Sequence, residues 1–276
     1  MEPFVQYHKL GEPAVFQIKR WMDQELSITA GISSRHGGTS QQEMASLNCA
    51  LHVNDDANHV ISNRNKLVQQ IGFPFEAWTC AEQVHGSHIE VVTNEEKGRG
   101  RYLREDAFPA TDGMVTNCRG VVLTVFFADC VPVYFWDPVA KAVGLVHAGW
   151  KGTVLEIVRA AIEVMKHQFG SQPNRIQAAI GPSIGSCCYE VDGAVMDKVR
   201  AVLPDVLQNP SIEAIGQGKY KLDLKEVNRQ FMIKAGILPT NIEISRLCTS
   251  CNTHLFYSHR REEGRTGRMA AWIGMK

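Results

Sequence analysis

The chain has 276 residues, enough to bury a substantial core as one large domain. Lys plus Arg and Asp plus Glu each number 29, so no global field draws it onto nucleic acid or an anionic membrane, and the expected partner is a small molecule. The opening "MEPFVQYHKLGEP" lacks the cationic start and apolar stretch of a secretory signal, and Asp129 and Pro132 break the longest apolar run, which excludes a bilayer span; a soluble, cytoplasmic protein is expected.

In chain order, apolar periodicity predicts a helix over 58–71 (Val60, Ile61, Leu67, Val68, Ile71). A strand follows over 88–93, then the polar stretch 94–113, read as a surface excursion. Strands are expected at 113–116, 121–128, 131–136 and 141–147, in runs rich in β-branched and aromatic residues. Val154, Ile157, Val158, Ala161, Ile162 and Met165 form the stripe of a helix lying on a sheet, and Thr153 and Glu156 have capping-box spacing at its start. A strand at 175–180, helices at 192–203 and 223–235 and a strand at 242–247 complete the pattern. Strands alternating with helices, with no repeat and no linker, indicate one α/β domain over 1–276 with mixed sheets. Pro132 cannot donate to a ladder, so the chain near Cys130 is expected to bulge, end a strand or lie at an edge.

Four stretches gather reactive residues among small ones: "EQVHGSH" (82–88), "ADCVP" (128–132), "LVHAGWKGT" (145–153) and "GPSIGSCCYEV" (181–191). Each lies beside a predicted strand or at a strand-to-helix turn, where α/β folds assemble pockets. Cys130 and His147 are one predicted hairpin apart and can converge. Thiol and imidazole together allow two chemistries. Cys130 and two histidines suit a borderline-soft cation such as Zn2+, with a fourth position open. Alternatively, Cys130 is a thiolate nucleophile activated by His85 or His147. Spacing leaves both open, and a single cysteine in an apolar run more often serves as a small core residue.

Beyond His147, Gly149, Gly152 and Lys151 at a helix start suggest an anion site, although the spacing is not that of a Walker loop. Arg35 precedes a Gly-Gly turn, and residues 257–272 gather four arginines with His259; guanidinium groups there suit either a solvated charge network or a phosphate or carboxylate. Cys248-Thr-Ser-Cys251 has redox-motif spacing without a second such pair, and it and Cys187-Cys188 are read as structural. None of the ten histidines forms His-x-His, which counts against a multicopper centre.

Taken together, "SSRHGGTS", "SLN" (46–48), "EQVHG", "TDGMVT", "ADCVPV", "VHAGWKGT", "GPSIG" and "FYSHRREEGRTGRMAA" resemble, in this order, the YfiH-type family, once called multicopper polyphenol oxidases and later recognised as purine nucleoside phosphorylases. The resemblance runs from about Ser33 to Ile273. It implies a four-layer α/β/β/α fold similar to cytotoxic necrotising factor-type toxins, with His85, Cys130 and His147 meeting at a zinc ion. It also implies phosphorolysis of adenosine, inosine and methylthioadenosine, with adenosine deamination beside it. Arg35, Asn48 and Arg260 match recurring polar positions and are expected to bind substrate, with a purine nucleoside and phosphate as partners. The rival expectations are a Cys-His hydrolase acting on an amide such as a peptidoglycan precursor, a copper-dependent phenol oxidase with Cu2+ in place of zinc, and a nucleoside-binding protein without turnover.

Overall fold

Residues 120–138 are one apolar run in sequence and two strands in space. The computed structural model describes residues 1–9, 11–204 and 212–276. Its elements begin with β1 (Phe4–Tyr7), β2 (Val15–Ile18), α1 (Lys19–Gln24), β3 (Ile28–Ser33), α2 (Ala57–Gln70), β4 (Trp78–Cys80), β5 (Ile89–Val91) and β6 (Gly113–Thr116). The central strands β7 (Val122–Phe127), β8 (Val131–Asp137) and β9 (Ala142–Ala148) lead into α3 (Trp150–Val154) and α4 (Ile157–Phe169). The rest are β10 (Gln177–Ile180), β11 (Glu190–Asp192), α5 (Gly193–Val202), β12 (Ile212–Gly216), β13 (Lys219–Leu222), α6 (Leu224–Lys234), β14 (Ile242–Ile244) and β15 (Met269–Met275).

Strand β7 lies in a six-stranded sheet of order β1-β2-β3-β15-β7-β4, and β8 lies in a second of order β14-β10-β8-β9-β6-β5; β11, β13 and β12 form a small third sheet. Both large sheets are mixed: β4 runs parallel to β7, β5 to β6 and β10 to β14, and the other pairs are antiparallel. The chain crosses between sheets at Ala128-Asp129-Cys130, where Asp129 takes a left-handed φ of 83°. The polar interruption of the apolar run is therefore a corner. Pro132 sits just inside β8, opposite His147 of β9, and its carbonyl accepts from Gly181 N at 2.9 Å just past the end of β10, so the ring forgoes only the reciprocal bond at the last rung of that pairing.

Alternation along these strands separates three cores. Leu123, Val125 and Phe127 of β7 meet Tyr134 and Trp136 of β8 and Val143 and Leu145 of β9 between the sheets. On the outer face of the first sheet, Val122 and Phe126 pack with Trp78 and with Leu67 and Val68 of α2. On the outer face of the second, Val133 and Phe135 pack with Ile157, Val158, Ala161, Ile162 and Met165 of α4. All five of those helix residues are fully buried, each contributing at most roughly 1.5–3 kcal/mol. Strands covered on both faces read as continuous apolar runs, as 120–138 does.

The capping-box expectation fails. Thr153 lies inside the short α3, its hydroxyl accepts from Asn228 Nδ2 at 3.0 Å, and Glu156 takes φ 56° with no side-chain cap before α4 starts at Ile157. The real side-chain caps are Asp56, Asp192 and Asp223, on α2, α5 and α6. Strands β1 to β4, β11 to β13 and β15 and helix α1 have no counterpart among the expected elements.

Candidate metal centre and cavity

The start of β8, the ends of β9, β10 and β14, and the residue preceding β6 all fall at one end of the strands of the second sheet. There His85, Cys130 and His147 bring one nitrogen or sulfur each within 4.8 Å of one another. Cys130 comes from the corner, His147 from β9, and His85 from the loop after β4 at a left-handed φ of 61°. The two imidazoles meet edge to face, ring centroids 4.7 Å apart.

Asp112 organises all this from a fully buried position immediately before β6. One carboxylate oxygen accepts from His85 N at 2.9 Å and lies 2.9 Å from His147 Nδ1; the other accepts from Gly86 N at 2.7 Å and Val84 N at 3.1 Å. The carboxylate thus holds the strained His85 loop and fixes the His147 ring, which turns Nε2 toward the thiol and suits the imidazole to metal ligation. Burial opposes its ionisation, but the His147 and backbone N–H bonds outweigh that and lower its pKa. Gly149 closes the other side: a Cβ there would lie 3.1 Å from both Cys130 Sγ and His85 Cδ2, so a larger residue would crowd both side chains by a few tenths of an ångström.

Burial alone would raise the Cys130 thiol, yet the charge and hydrogen bond of His147, with help from His85, bring it down to about 6. The converse holds at His147, where burial is outweighed by Cys130 and Asp112 and the imidazole rises to about 9. Near neutral pH the pair is a thiolate facing an imidazolium. One sulfur, two ring nitrogens and a carboxylate behind one of them make a donor set that fits zinc with an open fourth position.

This cluster forms the floor of a cavity of about 540 Å3, within the roughly 300–1,000 Å3 of small-molecule sites. Phe126, Trp150 and Tyr189 give the walls aromatic faces, while Lys151, Arg260 and Arg268 supply cations. Burial and the Arg268 charge push His52 down to about 4, which keeps it a neutral imidazole in the wall.

The six residues expected at the site divide. His85, Cys130, His147 and Arg260 line the cavity. Arg260 N donates to Asp129 Oδ2 at 2.7 Å, its guanidinium donates to Glu190 O and stands 5.3 Å from the Tyr189 ring centroid. Arg35 and Asn48 stand outside that lining. Arg35 is consumed by Glu262 Oε1 and the Thr253 and Ala45 carbonyls, over the face of Tyr257. Asn48 is fully buried, with Nδ2 on Ala50 O and Asp55 and Oδ1 accepting from Ala50 N and Arg268 N, so its amide anchors the backbone of a cavity arginine. At the expected anion turn, α3 has only five residues, and what it turns to the cavity is Trp150 and Lys151. Sequence reasoning gave no role to Asp112, His52 or Gln83 and left Arg268 undistinguished among the four arginines of 257–272; for Asp112 the available signal was Asp-Gly directly before a strand in an otherwise polar stretch.

The family described as multi-copper polyphenol oxidoreductase laccase matches residues 29–276, and the chain belongs to it. A relative in Geobacillus stearothermophilus, the purine nucleoside phosphorylase YlmD, is 46% identical over 247 residues, 90% of each chain. The Bacillus subtilis protein of the same name is 42% identical over 277 residues, 98% of each. Among solved structures, the hypothetical protein YfiH of Bacillus licheniformis superposes with a TM-score of 0.93 at 44% identity, covering 100% of both chains, and Geobacillus stearothermophilus YlmD with 0.93 at 41%, covering 99% of this chain and 100% of that one. No helix among the described residues is long and apolar enough to cross a membrane.

Proposed function

We propose that the chain is a zinc-dependent purine nucleoside phosphorylase acting on adenosine, inosine and methylthioadenosine, with adenosine deamination as a second activity. The observation that carries this is the convergence of His85, Cys130 and His147 on the floor of a cavity walled by aromatic faces and three cations, in a chain so similar to proteins named for that activity. The layered likeness to necrotising factor-type toxins belongs to the same proposal.

Phosphorolysis needs a phosphate held in line with the anomeric carbon and a leaving purine whose charge is offset. Arg260 and Arg268 hold the phosphate; Asp129 fixes the backbone of the first and Asn48 that of the second. Tyr189, in the cavity lining, offers aromatic surface to the purine. Neutral His52 offers one donor and one acceptor to the sugar or base. His85, Cys130 and His147 would hold zinc, which would supply Lewis acidity toward the leaving base or toward water. Incubation with adenosine, with and without phosphate, tests the reading: adenine released only with phosphate is expected, and no base release under phosphate overturns it. Inosine formed without phosphate reports the deaminase.

One observation favours a second reading. A Cys130 thiolate beside His147 is also a nucleophile with a proton donor at hand, as an amide hydrolase acting on a peptidoglycan precursor would require. Covalent trapping of Cys130 by a substrate-like electrophile in the metal-loaded chain would favour it, whereas one zinc equivalent lost in Cys130→Ser favours the ligand role. Copper-dependent phenol oxidation draws least support, since the other cluster of metal-binding type among the described residues contains no imidazole. A nucleoside-binding protein without turnover predicts binding in the same assay with no product.

A further inference from the structure

The two cysteine pairs that sequence spacing leaves unconnected meet in the fold. Strands β10 and β14 are parallel neighbours, so the chains leaving them emerge in the same direction: one carries Cys187 and Cys188, the other Cys248 and Cys251. The pairing continues past the strand ends through a bridge between Ser183 and Cys248 and a bond from Thr249 N to Ser183 O. All four sulfurs lie within 4.8 Å of one another, with Cys251 Sγ 3.5 Å from that of Cys187 and 3.4 Å from that of Cys188.

Four thiolates about 2.3 Å from one ion at the corners of a tetrahedron stand about 3.8 Å apart, a few tenths of an ångström beyond the 3.4 and 3.5 Å seen here and inside the 4.8 Å that spans all four sulfurs. They exceed the roughly 2.05 Å of a disulfide, and all four cysteines are free. Two further features suit a cluster of negative sulfur. Gly185 N donates to Cys248 Sγ at 3.2 Å, in a turn where a Cβ on Gly185 would lie 3.3 Å from Cys187 Sγ. The ammonium of buried Lys225 is held on Ser245 O and Leu247 O, both at 2.9 Å, on the backbone entering Cys248.

We propose that Cys187, Cys188, Cys248 and Cys251 form a second zinc site, structural and fully closed by sulfur, which fastens two loops behind the cavity. On these loops, Thr249 donates to Asp129 Oδ1 at 2.6 Å, Ile184 N donates to Asp129 O at 2.9 Å, and Tyr189 lines the cavity. The ion therefore braces the corner that carries Cys130. Binding converts four thiols to thiolates and releases their protons to solvent, with no change of oxidation state.

This site stands independently of the phosphorolysis reading. The test is zinc content and zinc-edge absorption fine structure of the full chain purified under reducing conditions. Wild type is expected to hold two zinc equivalents, and Cys130→Ser to keep one with sulfur as its only ligand, near 2.3 Å. Cys248→Ser and Cys251→Ser are expected to lose that equivalent and keep the other. A Cys130→Ser chain without zinc, or with nitrogen or oxygen around it, overturns the proposal; because that variant leaves the four cysteines intact, its zinc content decides the matter even where Cys248→Ser fails to fold.

Discussion

Two candidate ligand groups lie at one end of the strands of the second sheet and are built on opposite terms. The His85, Cys130, His147 group takes two ligands from β9 and the corner before β8, seals itself with a fully buried carboxylate, and opens into a cavity. The four-cysteine group hangs on loops with Cys187 and Cys251 exposed, and sulfur closes it on every side. Mixed donors with one open position suit chemistry, and sulfur alone suits bracing. The contrast teaches that donor type and access, rather than the number of reactive residues in a stretch, separate the two proposed roles; "SIGSCCYE" is richer in thiols than "ADCVP" and is the one proposed as structural.

The contrast breaks most sharply at Cys130. Cys130→Ala or His147→Ala is expected to lower phosphorolysis roughly a thousandfold, the several kcal/mol a metal contributes, while leaving the four-cysteine zinc in place. Steady-state kinetics with metal analysis on the same samples checks it. Asp112→Asn keeps all three ligands but weakens the hold on His147 and on the His85 loop; a loss of about 10–100-fold in zinc affinity is expected by competition with a chromophoric chelator. Arg268→Gln is expected to raise the KM for phosphate about tenfold or more, with KM for the nucleoside nearly unchanged, because a charge-assisted contact contributes about 1.5–3 kcal/mol. The mildest test uses metal-stripped protein. The Cys130 pKa is depressed to about 6, so the thiolate is present above that pH and lost as pH falls through it. Alkylation of Cys130 by iodoacetamide, followed by mass spectrometry, should have its midpoint near 6, and His147→Ala should move it upward toward the ordinary thiol value.

What the sequence makes legible follows from range. Helices α2, α4, α5 and α6 and the central strands show because local periodicity and branched residues encode them. Cys130, His85 and His147 stand out as candidates because thiol and imidazole lie among small residues where strands end, and the family resemblance is what joins them into one ligand set. Asp112 stays hidden in a polar stretch, since only burial between the His85 loop and β9 distinguishes it from a solvated turn acid. The four-cysteine cluster stays hidden because its pairs meet through the parallel β10–β14 pairing, and sheet order is not written in either segment. Among the four arginines of 257–272, the resemblance singles out Arg260, and only the fold adds Arg268 at the cavity and turns Arg261 away, its Nε donating to Ser250 O. Edge strands such as β1 escape because they are short and largely exposed.

The corner at Asp129 has a thermodynamic consequence. His85 is delivered by a loop leaving the first sheet, His147 by a strand of the second, and Cys130 by the crossing between them, so neither sheet alone presents more than part of the ligand set. An ion captured there is bound by the docked sandwich and not by its halves. Free zinc should then act as a folding ligand, raising the unfolding temperature by mass action as its concentration climbs above the dissociation constant.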